Sequence, residues 1–495
     1  MQRIPAKEVI ADDVDSRVFN LYEKREKIYT RHIEGFFQRV RLLTGWPLLL
    51  GYFLLPWIQL DGRQAVLFDL PARKFHILWM TFWPQDFVLL GWLLAIAAFA
   101  LFFVTTLWGR VWCGYTCPQT VWTAIFMWAE QLTEGERLQR MRLDKQASVL
   151  TPKGWNRAGV EKTLRRLLKH VMWLGFAALT GVTFIGYFYG IRDLLTDALH
   201  WQLPLIAVAW CVFFTLATYI NAGWMREQVC IYMCPYARFQ SAMFDRDTLV
   251  ISYDSARGEQ RGSRRRNSDY RAQGLGDCID CTLCVQVCPT GIDIRNGLQY
   301  QCIGCAACID ACNDIMGKMG YAPGLISYTT ENKLAGGLWT WKRPKLIGYG
   351  VAMLVMSALF VVVLFNRAPV SLEVMRDRAS LYQQLPDGRI ENVYQLRMIN
   401  RDTQTHEFVV SVHELPGATL VPDRPVAVSA GEIRDLLLRV QMAPEQLQQA
   451  NQTVIFRITS LEGLRDDQPV TAEVDNRFIA PATQVPAQRN GSTAP

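Results

Sequence analysis

Cys278-Ile-Asp-Cys281-Thr-Leu-Cys284-Val-Gln-Val-Cys288-Pro289 and, after a linker, Cys302-Ile-Gly-Cys305-Ala-Ala-Cys308-Ile-Asp-Ala-Cys312 write one spacing twice. It is the bacterial ferredoxin spacing: three thiolates two residues apart hold three irons of a cubane, and the fourth cysteine ligates the other cluster. The pattern predicts one [4Fe-4S] cluster on Cys278, Cys281, Cys284 and Cys312, and a second on Cys302, Cys305, Cys308 and Cys288. Zinc sites use Cys-x-x-Cys pairs with a longer spacer, not two quartets of this form. A disulfide framework does not suit the intracellular chemistry read here, because thiols stay reduced there.

The chain has 495 residues, length for about three domains, and half of it is hydrophobic, with Trp, Phe and Tyr abundant. That load predicts a membrane protein. The net charge of +7 does not call for nucleic acid, since the basic residues flank apolar spans and face an anionic lipid surface. The first forty residues are polar, without a secretory signal pattern, so the N-terminus is expected in the cytoplasm.

Residues 14–41 read as a partly helical polar lead-in. Spans are expected at Leu43–Leu60, which holds Pro47 and Pro56, at Phe87–Trp108, Val171–Gly190, Leu203–Ile220 and Leu346–Phe365. Few cations stand between the first and second spans or between the third and fourth. The segment with Arg137, Arg140, Arg142 and Lys145 and the one with Arg264, Arg265 and Arg266 are basic. Five spans then put the N-terminus and the ferredoxin stretch in the cytoplasm of a multi-pass protein of the bacterial inner membrane, and the C-terminus in the periplasm.

After Asn366, alternation in Val393–Ile399, Glu407–Val412, Leu436–Gln441 and Thr453–Ile458 predicts a small β-sandwich of immunoglobulin type, free of cysteine. The fold class is therefore a multi-domain membrane protein: an α-helical transmembrane bundle of about five spans, a 2[4Fe-4S] ferredoxin insert and an all-β sandwich. The divisions are 1–42, a cytoplasmic segment; 43–244, four spans; 245–344, the ferredoxin domain; 345–366, the fifth span; 367–480, the sandwich; and 481–495, a disordered tail.

Two further motifs follow membrane spans: Trp112-Cys113-Gly-Tyr-Thr-Cys117-Pro118-Gln119 and Val229-Cys230-Ile-Tyr-Met-Cys234-Pro235-Tyr236. Each leads into a short apolar run, Thr120–Trp128 or Phe239–Phe244, so the unit is an internal repeat. Proline at the first helical position puts Cys117 and Cys234 at helix N-caps, where the helix dipole favours thiolate. Thiolates select Cu(I), zinc or iron–sulfur clusters. Brought together, the two pairs make a metal or dithiol redox site, to which Met225, Met233 and Met243 could add thioethers. Cys211, in mid-span, reads as a packed thiol. His32, His76, His170, His200, His406 and His413 show no metal spacing, and the Arg264–Arg266 run reads as a solvated or lipid-facing patch. No glycine-rich nucleotide loop is present, so electrons must come from an external donor.

With the two ferredoxin quartets, the runs Trp112–Trp122 and Cys230–Gln240 resemble the cytochrome c oxidase accessory protein family, called CcoG, FixG or RdxA, over essentially the whole chain. The second quartet departs from the usual pattern by ending in Cys312-Asn313. The resemblance implies a membrane ferredoxin that reduces Cu(II) to Cu(I) for assembly of cbb3-type cytochrome c oxidase. Cys113, Cys117, Cys230 and Cys234 would be the catalytic residues and copper ligands, beside two [4Fe-4S] clusters. Implied partners are membrane lipid, oxidase assembly factors or copper carriers and an unidentified electron donor, without nucleic acid; a homo-oligomer stays open. Two rivals remain: a quinol-linked electron-transfer subunit of a respiratory pathway, and an oxidase assembly scaffold with structural clusters.

Overall fold

The computed structural model describes residues 27–481 apart from 61, 146–149, 152–153, 156, 267, 367, 378–379, 402–403 and 464–468. The expected disordered tail from residue 482 and the first part of the polar lead-in, 14–26, fall outside the described residues. The chain divides into two compact units, one of residues up to 64 with 97–352, the other of 65–96 with 353 onward.

The first unit holds α1 (Phe36–Leu54), most of α2 (Phe87–Trp108), α3 (Pro118–Glu134), α4 (Arg157–Tyr189), α5 (Leu205–Thr218), α6 (Pro235–Met243), α7 (Ala307–Met319) and the start of α8 (Pro344–Phe365). Among the described residues, four helical stretches are long and apolar enough to cross a membrane: Phe87–Trp108, Gly159–Tyr189, Leu205–Met225 and Pro344–Phe365. The first expected span, Leu43–Leu60, needs correction. The helix there begins earlier, because the Asp310 carboxylate accepts hydrogen bonds from the Phe37 and Gln38 backbone amides and so caps its first turn. Residues 27–34 are correspondingly not helical. At its other end Pro56 opens a single 3₁₀ turn, Leu55–Trp57. Gln38, Arg39 and Arg41 dilute the first two turns, so only about 20 Å of α1 is continuously apolar.

Its path nevertheless runs the length of the bundle. Asp310 holds the start, while Gln64, just past its end, donates to Gly186 O and accepts from the Ile191 amide beyond the last turn of α4. Between those ends Tyr52 Oη donates to Thr180 O of α4.

In the ferredoxin region, β1 (Val250–Tyr253) pairs antiparallel with β2 (Ile326–Thr329) and closes a core of Ile251, Ile292, Ile294, Ile309, Met316 and Ile326. The two halves share one backbone device. Thr282 and Ala306, each directly after the second cysteine of its quartet, take left-handed φ values of 57° and 59°, and each opens a short or long helix. For residues with a Cβ this costs about 1 kcal/mol and is found where a site over-determines the chain.

In the second unit, two antiparallel sheets face each other. One has the order β3-β4-β8-β6, from Val370–Arg376 (β3), Ile390–Asn400 (β4), Thr419–Val421 (β6) and Ile433–Met442 (β8); the other has β7-β5-β9-β10, from His406–His413 (β5), Val426–Val428 (β7), Asn451–Gly463 (β9) and Pro469–Ile479 (β10). The expected alternating runs lie in β4, β5, β8 and β9. Their inward residues Tyr394, Leu396, Phe408, Leu438 and Phe456 are fully buried, as is Phe478 of β10, so period-two patterning became a two-sheet core. Phe456 meets Tyr394 edge-on at 4.8 Å between ring centres. Phe456→Ala should therefore destabilise the sandwich by about 3–5 kcal/mol. Limited proteolysis across a temperature series should show β-domain cleavage starting at lower temperature, and an unchanged onset would refute the packing account.

Candidate redox centre

Each ferredoxin quartet lines its own small apolar cavity. Cys278, Cys281, Cys284 and Cys312 surround one, with Ile279, Ile315 and Leu325 in the wall. Cys288, Cys302, Cys305 and Cys308 surround the other, with Cys284 at the shared wall. Cys281 is exposed, whereas Cys278, Cys284 and Cys305 are buried. Burial pushes the Cys284 thiol up to about 11 and those of Cys302 and Cys312 to about 12. Such thiols do not ionise unaided at neutral pH; a bound metal's positive charge reverses the preference. Among the described residues no three His, Cys, Asp or Glu side chains converge to hold a single ion. Four thiols around a cavity, too spread for one ion, fit a cubane.

Arg264 departs from its expected solvated role. Its guanidinium lies 4.3 Å from the Tyr270 ring centre and donates to Gly276 O at 2.7 Å and to Tyr321 Oη at 3.0 Å. It braces the loop that enters the first quartet.

The two Cys-x-x-x-Cys-Pro loops are built as the repeat implied. Cys117 and Cys234 are the N-cap residues of α3 and α6, with Pro118 and Pro235 at the first helical positions. α3 continues past its expected run to Glu134, whereas α6 starts at Pro235, before its expected run, and stops at Met243, one residue short of that run's end. Cys113 lies in a short helix, Val111–Tyr115, and Cys230 in a π-helical turn, Val229–Met233, a wide backbone form frequent at functional sites. The loops meet. The Cys113 thiol is pushed up to about 12 by burial, with further upward contributions from Cys117 and Cys230; that of Cys230 rises to about 11 by burial, then through Cys117 and Cys234. Burial thus holds the first cysteine of each loop as a neutral thiol. Of the auxiliary methionines, Met233 is exposed and Met243 Sδ accepts from Tyr349 Oη at 3.4 Å. Cys211 packs in an apolar cluster with Val182 and Phe214.

Residues unremarked in the sequence position these loops. A Cβ added to Gly114, between Cys113 and Cys117, would lie 2.6 Å from Gly304 O and 2.9 Å from Cys305 Cα, so the first loop touches the backbone of the second quartet. Gly304 sits at φ +68°, and its carbonyl accepts from Tyr328 Oη at 2.5 Å. Arg110 ties three pieces together, donating to Tyr300 O, to Cys302 O at 3.1 Å and to Ala237 O of α6 at 3.0 Å. Gln119 of α3 donates to Asn221 O and Arg226 O, and Glu130, also of α3, receives Arg226 at 2.9 Å and Arg140 at 3.3 Å. Burial would raise the Glu130 carboxyl, but Arg226, Arg140 and Lys169 outweigh it and hold it below the usual carboxylate range. The near-neighbour signal for Gly114 was present, since glycine inside a cysteine loop permits close backbone approach. Nothing local marks Glu130 as a hub.

A family model for a 4Fe-4S dicluster domain matches residues 225–331, one for a 4Fe-4S binding domain matches 90–132, and one for the IG-like fold at the C-terminal of FixG matches 360–481. The Nitrogen fixation protein FixG of Rhizobium meliloti is 35% identical over 458 residues, 85% of each chain. Protein RdxA of Cereibacter sphaeroides is 39% identical over 411 residues, 79% of this chain and 83% of its own. A solved FixG-related protein from Vibrio parahaemolyticus is 29% identical over 22% of this chain and 95% of its own, with a TM-score of 0.19.

Gly114→Val must displace the Gly304–Cys305 backbone, so iron per purified chain should fall by about half while the first quartet keeps its cluster. Full iron content would show that the contact is not needed. Glu130→Gln removes one partner of a buried ion network and should cost about 3–5 kcal/mol at neutral pH. Because the folded carboxyl lies below its unfolded value of about 4.3, this stabilisation is present above that value and fades as pH falls through the folded one. The difference in thermal midpoint between wild type and variant should shrink in acid; a constant difference would refute the electrostatic account.

Proposed function

The chain belongs to the FixG/RdxA family of membrane iron–sulfur electron-transfer proteins, and from that premise we propose that it reduces Cu(II) to Cu(I) for assembly of a cbb3-type cytochrome c oxidase. The observation that carries the reading is the direct seating of Gly114, inside the first Cys-x-x-x-Cys-Pro loop, on the backbone of the second ferredoxin quartet. It brings thiols suited to Cu(I) next to thiols suited to a cubane.

Two [4Fe-4S] clusters, one on Cys278, Cys281, Cys284 and Cys312 and the other on Cys302, Cys305, Cys308 and Cys288, would supply one-electron carriers when bound. The chain's own groups do the rest. Cys113, Cys117, Cys230 and Cys234 offer soft sulfur to copper, the substrate, and favour the cuprous product over the cupric ion. Two or more of these thiols would hold the cuprous ion. Arg110 and the Glu130–Arg226 pair keep the loops in register. Each Cu(II) takes one electron, from a reductant outside the chain.

Five crossings, with α1 as the first, put the ferredoxin region and both cysteine loops in the cytoplasm and the sandwich in the periplasm, within reach of copper carriers or oxidase assembly factors. Support comes from the path of α1 along the bundle and from the exposed Leu43, Leu48 and Leu54 on it, which suit lipid. A second reading of the loop cysteines, as ligands of a further iron–sulfur group, is favoured by the 4Fe-4S binding match over 90–132, which includes Cys113 and Cys117.

The double variant Cys230→Ser with Cys234→Ser separates these. Under the copper reading, iron content and the brown cluster absorption stay at wild-type level, while reduction of Cu(II) by the dithionite-reduced protein, followed with a Cu(I)-specific chelator, falls at least about tenfold. Unchanged copper reduction would refute the assignment, and a loss of iron would favour the second reading.

A further inference from the structure

A cavity of about 670 Å³ lies between α1, α3 and α4, inside the first unit. Its volume is in the range of small-molecule sites. Its walls are aromatic: Trp46 and Phe53 from α1, Trp122, Phe126 and Trp128 from α3, and Phe176 from α4. Acyl chains need no such surfaces, whereas a flat conjugated ring stacks on them. The cavity's polar end carries Arg31, His32, Gln38, Arg41, Gln131 and Arg140. Arg140 is 3% exposed. Two of its nitrogens serve Glu130 and Thr30 O, but its Nε is buried with no hydrogen-bond partner among the described residues. A buried N–H left so carries a desolvation penalty unless something accepts from it. The cavity also shares walls with the redox peptides: Val287 and Pro289 flank Cys288, Ala307 precedes Cys308, and Gly114 follows Cys113.

We infer that this cavity binds the ring of a lipid-soluble quinone or quinol, with the Arg140 Nε–H donating to a ring oxygen and the tail leaving between α1 and α4 into lipid. This rests on the electron-transfer reading above and names the chemical class of its reductant. The overall reaction balances as one quinol and two Cu(II) giving one quinone, two protons and two Cu(I). His32, exposed at the polar end, is placed to pass protons to water. A membrane-dissolved donor also fits a chain with no nucleotide-binding loop.

The test uses the full-length protein in detergent and decylubiquinone as probe. Three tryptophans line the cavity, so binding should quench part of the fluorescence saturably, whether or not metal is bound. Ala124→Phe fills the cavity from α3, and Gly45→Leu fills it from α1, where an added Cβ meets Val121 only at 3.8 Å. Either should raise the quenching Kd at least about tenfold while iron content and dithionite reduction of the clusters stay at wild-type level. Absent or non-saturable quenching, or equal affinity in both variants, overturns the site. Complete displacement of the probe by phosphatidylglycerol, with no bleaching of the clusters by decylubiquinol, assigns the cavity to an anionic lipid and overturns it too. If dithionite drives copper reduction and decylubiquinol does not, the quinol proposal fails and the copper reading stands; if decylubiquinol bleaches the clusters and no copper is reduced, the copper reading fails and the quinol site stands.

Discussion

The contact on which the site depends is backbone against backbone: Gly114 on Gly304. A side chain at either position would hold the first cysteine loop away from the second quartet, and electron transfer falls off steeply with distance. Around that contact the structure places side-chain donors on four loop and helix carbonyls. Tyr328 serves Gly304 O, and Arg110 serves Tyr300, Cys302 and Ala237. Loop carbonyls left bare at a membrane face would cost more than these side chains do to order.

Charge carries the same coupling into the bundle. Glu130 on α3 accepts from Arg226, which ends the π-helical stretch Tyr219–Met225 after α5, and from Arg140. Arg140 in turn donates to Thr30 O, while Lys27 and Tyr29 reach Asp144. The segment before α1, the helix after the first loop and the approach to the second loop thus share one buried carboxylate. Buried ion networks are weak evidence for net stability, because desolvation offsets their attraction. They do fix geometry, and here the geometry is the relative placement of two cysteine loops 117 residues apart, from Cys113 to Cys230.

Much of this was legible in the residues. Cysteine spacing gave the two quartets, proline after Cys117 and Cys234 gave both helix starts, and period-two alternation gave the four main strands of the sandwich. What was not legible was long-range. The first span was misplaced because its start is fixed by Asp310, some 270 positions later in the chain, and no local pattern announces a cap from that far. Arg264 read as solvated because a charge run usually is; its partners Tyr270, Gly276 and Tyr321 lie on two separate loops. The cavity between α1, α3 and α4 has no sequence signature, since the aromatic residues that line it sit at spacings indistinguishable from lipid-facing ones.

That last ambiguity bears on how the bundle works. A helix that is simply lipid-facing gains nothing from a buried arginine, and a helix that simply packs on its neighbours leaves no space. The bundle here does neither along α3: Ala129 is fully buried beside Trp173 and Ala222, Phe126 packs on Trp173 and also borders the cavity, and Trp122, Ala124 and Trp128 open onto it. One face of α3 therefore holds the second cysteine loop through Glu130 and Gln119, and the adjacent face borders the cavity whose polar end is Arg140. Because Arg140 also bonds Glu130, any group that accepts from its free Nε–H is coupled through a single carboxylate to Arg226 and so to the turn that carries Cys230. The polar end of the cavity and the approach to the second thiol pair thus meet at one buried carboxylate.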